Sequence, residues 1–245
     1  GDVVIPAGGA SQSLATAAGG QVWMSAGTSA SQTGGRIFIR SGVSTSKTSG
    51  ALGIVTADSG TSGASGYMVL STGDGAKGNS GAMYVGSGVS TSGRGGSIYV
   101  TVGSGDSGTG GDVVLHAGTS SFAGGGQIYL SGGTSSVTTG GRIYIQSGYS
   151  SALSSGVIGI QTANSGTAGM SGYLIMSTGI AAKGNSGAMY VGSGVSTSGR
   201  GGSIYVTVGS GDSGTGGDVV LHAGTSSFAA GGQIYLSGGT SSVTT

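Results

Sequence analysis

A glycine returns along this chain at a nearly fixed interval, and that interval governs what the chain can become. It falls at Gly1, Gly20, Gly35, Gly50, Gly66, Gly81, Gly96, Gly111, Gly126, Gly141, Gly156, Gly172, Gly187, Gly202, Gly217 and Gly232. The step is 15 residues, except for 16 in the units opening at Gly50 and Gly156 and 19 in the first unit. Collagen needs glycine at every third position with abundant proline, whereas this chain has 60 Gly and 1 Pro in 245 residues. Disorder goes with low hydrophobicity and many charges. Here charged residues are 6%, hydrophobic residues are 36%, and the apolar ones recur in step with the glycine. A fixed period of this kind is the mark of a repeat architecture.

Each unit can be numbered from its opening glycine. GDVVLHAGTSSFAGG (111–125) and GQIYLSGGTSSVTTG (126–140) show the pattern, with aliphatic residues at positions 3 and 5 and a second glycine near position 8. The four additional residues of the first unit lie in its second half, so that half reads as a loop that tolerates insertion. A longer period lies above the short one. Seven units span 106 residues, and residues 76–139 match 182–245 at that offset with one difference, Gly124 against Ala230. The whole chain, 1–245, reads as one continuous array. It opens inside a repeat and stops one residue short of completing one, as a segment of a longer array would.

Pairs such as Ile37 with Ile39, Met83 with Val85, Ile98 with Val100 and Ile128 with Leu130 alternate with period two, as in a strand. Glycine at every turn of the pattern, and the missing 3.6-residue period, exclude helix. These features predict an all-β fold: a flattened parallel β-solenoid of about sixteen coils, forming a rod of about 75 Å at the usual strand spacing. Positions 3 and 5 would make a thin aliphatic core.

Position 4 faces the other way by strand parity. It carries Trp23, Phe38, Tyr84, Tyr99, Tyr129, Tyr144, Tyr190, Tyr205 and Tyr235, with Val, Ile or Gly in the remaining units. A solvated face should carry Lys, Glu or Thr. Three readings fit this column: aromatic stacking along an exposed ladder, lateral contact with another chain, or stacking on sugars. Lateral contact accounts best for the absence of charge, which makes these nine residues the candidate assembly surface.

The second half of the unit is rich in hydroxyls. Thr119, Ser120, Thr134, Ser135, Thr225, Ser226, Thr240 and Ser241 are candidate sites for O-linked sugar, which would solubilise a nearly uncharged rod. Hydrogen bonds that form turns explain the same residues equally well. Each of Asn79, Asn164 and Asn185 is followed by Ser-Gly, so no N-glycosylation sequon occurs.

No catalytic constellation is legible. His116 and His222 occupy one repeat position, four residues after Asp112 and Asp218, and serine is so common that a triad could be drawn anywhere. GSGDSGTGGD (103–112) resembles a calcium repeat, but the period is wrong and most units have no Asp there. Gly-rich strings followed by no helix do not make phosphate loops. The sequence therefore implies no enzyme activity, cofactor or metal. A net charge of +1 gives no footprint for nucleic acid, and no apolar run is long enough for a membrane helix. Ice binding would need Thr-x-Thr in unit after unit, whereas the outward slots read Asp-Val-His, Gln-Tyr-Ser and Arg-Tyr-Gln.

GGDVVLHAGTSS, GGQIYLSGGTSS and GGSIYVTVGSGDSGTGG resemble Gly/Ser-rich repeats of large secreted proteins of algae and related protists, including fibre and surface-hair proteins. That resemblance implies an extracellular or cell-surface structural polymer whose partner is itself, with glycans as a second partner class. It carries over no catalytic residue. The expected function is the shaft or subunit of an extracellular filament. The rival reading is an ice- or glycan-binding solenoid.

Overall fold

The computed structural model of the chain describes residues 3–8 and 18–241. The opening glycine of a unit comes back onto position 8 of the unit before it. The amide of Gly35 donates to the carbonyl of Gly27 at 2.8 Å, and the amide of Gly50 donates to the carbonyl of Gly42 at 2.9 Å. The same closure joins Gly141 to Gly133, Gly156 to Gly148 and Gly232 to Gly224. It also joins Gly20 to Gly8 at 2.7 Å, although the first unit is the longest. Its inserted residues lie outside the described ones. A closed loop tolerates added residues because the entropy of joining its ends grows only with the logarithm of its length.

This approach leaves no room for a side chain. A Cβ on Gly141 would stand 2.8 Å from the amide nitrogen of Gly133, and one on Gly96 would stand 2.9 Å from the Cβ of Ser87. The recurring glycine therefore marks a close contact at Gly20, Gly35, Gly96, Gly141 and Gly202, whereas at Gly50, Gly66, Gly81 and Gly111 a Cβ would meet nothing nearer than about 3.5 Å. Ser87 and Ser193, at position 7, strengthen it by donating from Oγ to the carbonyls of Gly96 and Gly202, each at 2.8 Å.

Between position 8 and the closing glycine the backbone bends once, at 45–47, 91–93 and 136–138 for example. In the two 16-residue units the bend comes one position later, at 61–63 and 167–169. Each of these ends on a left-handed glycine, Gly63 with φ of 116° and Gly169 with φ of 108°. Gly184, in a 15-residue unit, is left-handed too, with φ of 134°, and a β-carbon would oppose the conformation at all three.

The chain falls into two units of contact, Gly1–Thr119 and Ser120–Thr245. The first contains the closures at Gly20, Gly35, Gly50 and Gly96. The second contains those at Gly141, Gly156, Gly217 and Gly232.

The expected all-β solenoid is not what forms. No strand and no helix occurs among the described residues, so there is no parallel ladder and no stack of coils. The aliphatic core is absent as well: Ile37, Ile39, Met83, Val85, Ile98, Val100, Ile128 and Leu130 are all exposed, and no described residue is buried. The reason lies in where the backbone bonds go. Alternation fixes side-chain parity, but a strand exists only if its amides and carbonyls pair with a neighbouring strand. Where it forms, the Gly–Gly closure uses the position-8 carbonyl and the next opening amide locally, so those units fold back on themselves.

Parity itself survives. Within one unit Ile98 is 53% exposed, Tyr99 84% and Val100 73%. Position 3 is the sheltered side and position 4 the open one, but the shelter is partial.

The closure makes a direct prediction. Gly141→Ala should break the Gly133–Gly141 hydrogen bond and bring exchange of the residue-141 amide to the rate of an unprotected peptide. Gly140→Ala, whose Cβ would meet nothing nearer than the Gly133 carbonyl oxygen at 3.5 Å, should leave exchange of the Gly141 amide unchanged. Residue-resolved amide exchange by NMR reads both.

Candidate assembly surface

The side chains at positions 2, 4 and 6 share one face, and hydrogen bonds between them show it. The indole N–H of Trp23 donates to Oε1 of Gln21 at 2.9 Å. The hydroxyl of Tyr144 donates to Oε1 of Gln146 at 3.1 Å, and that of Tyr235 donates to Oε1 of Gln233. Each bond joins residues two apart, the spacing at which side chains of an alternating segment point the same way. Glutamine thus holds the polar tip of the aromatic and leaves the ring faces open.

All nine residues of the column are exposed: Trp23, Phe38, Tyr84, Tyr99, Tyr129, Tyr144, Tyr190, Tyr205 and Tyr235. Tyr67 and Tyr173, at position 2 of their units, lie on the same side by parity and are exposed too. Sequence reasoning did not single them out, although position 2 has the parity of position 4. It also passed over the bend tips. Phe122 and Phe228 project fully into solvent from position 12 of their units. The available signal was a lone aromatic in an otherwise hydroxyl-rich run.

The hydroxyls divide into two classes. Position 10 is a capping serine. Ser120 Oγ accepts from the amide of Ala123 at 3.0 Å, Ser135 Oγ from Thr138 at 2.9 Å, and Ser226 Oγ from Ala229 at 3.0 Å. Ser29, Ser44 and Ser150 do the same for Gln32, Lys47 and Leu153. A hydroxyl that bonds an amide three residues on offers the backbone a local partner and fixes the bend. Ser241 holds the same position at the end of the described residues. The threonines just before them, Thr119, Thr134, Thr225 and Thr240, make no such bond and leave their hydroxyls to solvent.

Elsewhere the described residues offer little chemistry. They enclose no pocket and contain no group of three metal-ligating side chains. His116 shares no hydrogen bond with Asp112 or a neighbouring serine. No helix among them is long and apolar enough to cross a membrane. No family model, curated protein or solved structure matches the chain.

The accessible surface totals 24620 Å² for a 22.8 kDa chain. A folded monomer of that mass exposes about 9,600 Å², and the fully unfolded chain about 33,000 Å². The single chain therefore keeps about three quarters of its unfolded surface, and that surface includes every aromatic ring described above.

Removing one capping serine tests the division of the hydroxyls. Ser120→Ala should cost the bend about 0.5–1.5 kcal/mol, the net worth of one hydrogen bond. The temperature coefficient of the Ala123 amide should then rise to that of a solvent-bonded amide. Thr119→Ala should leave it unchanged.

Proposed function

We propose that this chain is a structural protein, a subunit of an extracellular or cell-surface filament that associates with further copies of itself through its aromatic face. The observation that carries the reading is the unburied surface. A chain with 36% hydrophobic residues exposes its whole aromatic column, and burial of such surface is the dominant force in association.

Three features make a second copy the fitting occupant. The same face is offered again in unit after unit, so any patch that binds itself once can do so many times. Charge does not oppose the contact, because 8 cations and 7 anions are spread over 245 residues and like-charge repulsion is what keeps apolar surfaces apart. The excess of exposed surface over a folded monomer is also several times the ~1,600 Å² of a standard stable interface. The resemblance to secreted fibre repeats points the same way. Thr119, Thr134 and Thr225 are hydroxyls left to carry O-linked sugar, since the adjacent Ser120, Ser135 and Ser226 serve the backbone, and Thr240 holds the same repeat position.

Replacing two adjacent rings tests the reading. Burying one Tyr contributes about 1.5–3 kcal/mol, so Tyr129→Ser with Tyr144→Ser should raise the concentration needed for assembly by at least about tenfold. Sedimentation velocity and electron microscopy measure this. Unchanged assembly in the double variant would overturn the role of the column. A wild-type chain that stays monomeric while binding ice or glycans would replace the reading with a binding module.

A further inference from the structure

The chain has 10 Tyr, three Lys (Lys47, Lys77 and Lys183) and 0 Cys. Its copies cannot be joined by disulfides, and lysine chemistry has few anchors. Tyrosine is the abundant side chain that can form a covalent bond to its own kind. All ten are exposed, from 79% at Tyr144 to 93% at Tyr84 and Tyr190. Gln146 and Gln233 accept from the hydroxyls of Tyr144 and Tyr235, and the other eight phenols have no hydrogen-bond partner among the described residues. Such exposure leaves the ring carbons beside the hydroxyl open to attack.

Two phenols couple when each gives up one hydrogen atom. Each O–H bond breaks, and the two phenoxyl radicals join through the ring carbon beside the oxygen. The hydrogen on each of those carbons then moves to its oxygen, which restores both phenols. One C–C bond forms and two hydrogen atoms leave in all. The oxidant is hydrogen peroxide, which takes both and is reduced to two molecules of water. A haem peroxidase is the class of catalyst that carries the electrons.

Resting on the self-association proposed above, we propose that the tyrosines of the aromatic face are sites of oxidative coupling between copies, so that contacts between faces become dityrosine bonds. The coupling needs only two rings in contact, whichever units supply them. Nine of the ten sit at position 2 or 4 of their units, the side marked by the ring-to-glutamine bonds. Holding reacting groups together raises their effective concentration far above that in free solution. Rings covered together in an assembly therefore couple with one another. Tyr149 is the exception. It follows Gly148, the position-8 glycine, and so lies outside the alternating segment. At 86% it is more exposed than Tyr144. Exposure alone would make Tyr149 as reactive as the column, whereas contact between faces leaves it out.

Assembled chain is treated with hydrogen peroxide and a haem peroxidase. Denaturing gels read the covalent oligomers, and fluorescence identifies dityrosine. Two variants are compared with the wild type: Tyr149→Phe, and a chain in which the other nine tyrosines are changed to Phe. Yield is expressed per chain in the sedimented assembly, so that weaker assembly is not read as weaker coupling. Tyr149→Phe should keep the wild-type yield. The chain that retains only Tyr149 should lose it by at least about tenfold, because its phenol has no advantage of proximity. Peptide mapping of the wild-type product reads the same point without substitution, and should recover Tyr149 uncoupled. Wild-type assemblies that form no dityrosine overturn the proposal, and so does coupling that runs through Tyr149 as readily as through the column. Sedimentation before oxidation separates these results from failure of self-association: wild-type chains that stay monomeric overturn the functional reading and the coupling with it, whereas assemblies that do not couple overturn the coupling alone.

Discussion

The local backbone at eight of the described unit boundaries depends on the hydrogen bond from an opening glycine amide to the glycine carbonyl at position 8 of the preceding unit. It is short, 2.7–2.9 Å at Gly20, Gly35, Gly50, Gly141, Gly156 and Gly232, and at Gly20, Gly35 and Gly141 it brings two backbones closer together than a β-carbon allows. That one contact sets the conformational economy of those units, because it uses locally the groups that a sheet would have paired with a neighbour. Serine capping at position 10 does the same on a smaller scale for the amide at position 13. The outcome, within each of the two units of contact, is a set of self-closed loops whose side chains face water.

Satisfying the backbone locally shifts the hydrophobic problem outward. Glycine supplies no side chain to cover the aliphatic residues at positions 3 and 5, and the loops are too thin to cover the rings at position 4. A chain of ordinary composition would solve this by folding elements against one another. Here the repeat offers the same face each time, and the economical cover for a repeated face is another copy of it. Structure and proposed function therefore share one cause: a backbone closed within the unit and an apolar surface open between molecules.

Much of the local design was legible in the letters. The recurring glycine marked the unit boundary, whereas the left-handed Gly63, Gly169 and Gly184 were not singled out among so many glycines. Alternation correctly placed Gln21, Trp23, Gln146 and Tyr144 on one side, as their hydrogen bonds show. The solenoid was misjudged because alternation specifies which way Ile98 and Tyr99 point but not what their amides bond to. The closing bond between Gly88 and Gly96, which competes with a ladder, has no hydrophobic signature. The serines at 120, 135 and 226 were open to two readings because a capping hydroxyl and a solvent-facing one have the same letter. Phe122 and Phe228 stood one per unit in polar surroundings, where no period drew attention to them.

The most direct test of the central claim, that the aromatic face is open in the single chain and covered by further copies, uses the chain's one tryptophan. Trp23 stands in the column and is exposed. Its emission and its quenching by acrylamide should be followed from dilute to assembling concentrations. The account predicts a solvent-exposed, fully quenchable indole in dilute solution that shifts to the blue and becomes protected as assembly proceeds. A Trp23 that stays exposed and quenchable in assembled material, or is already protected in the monomer, would contradict it.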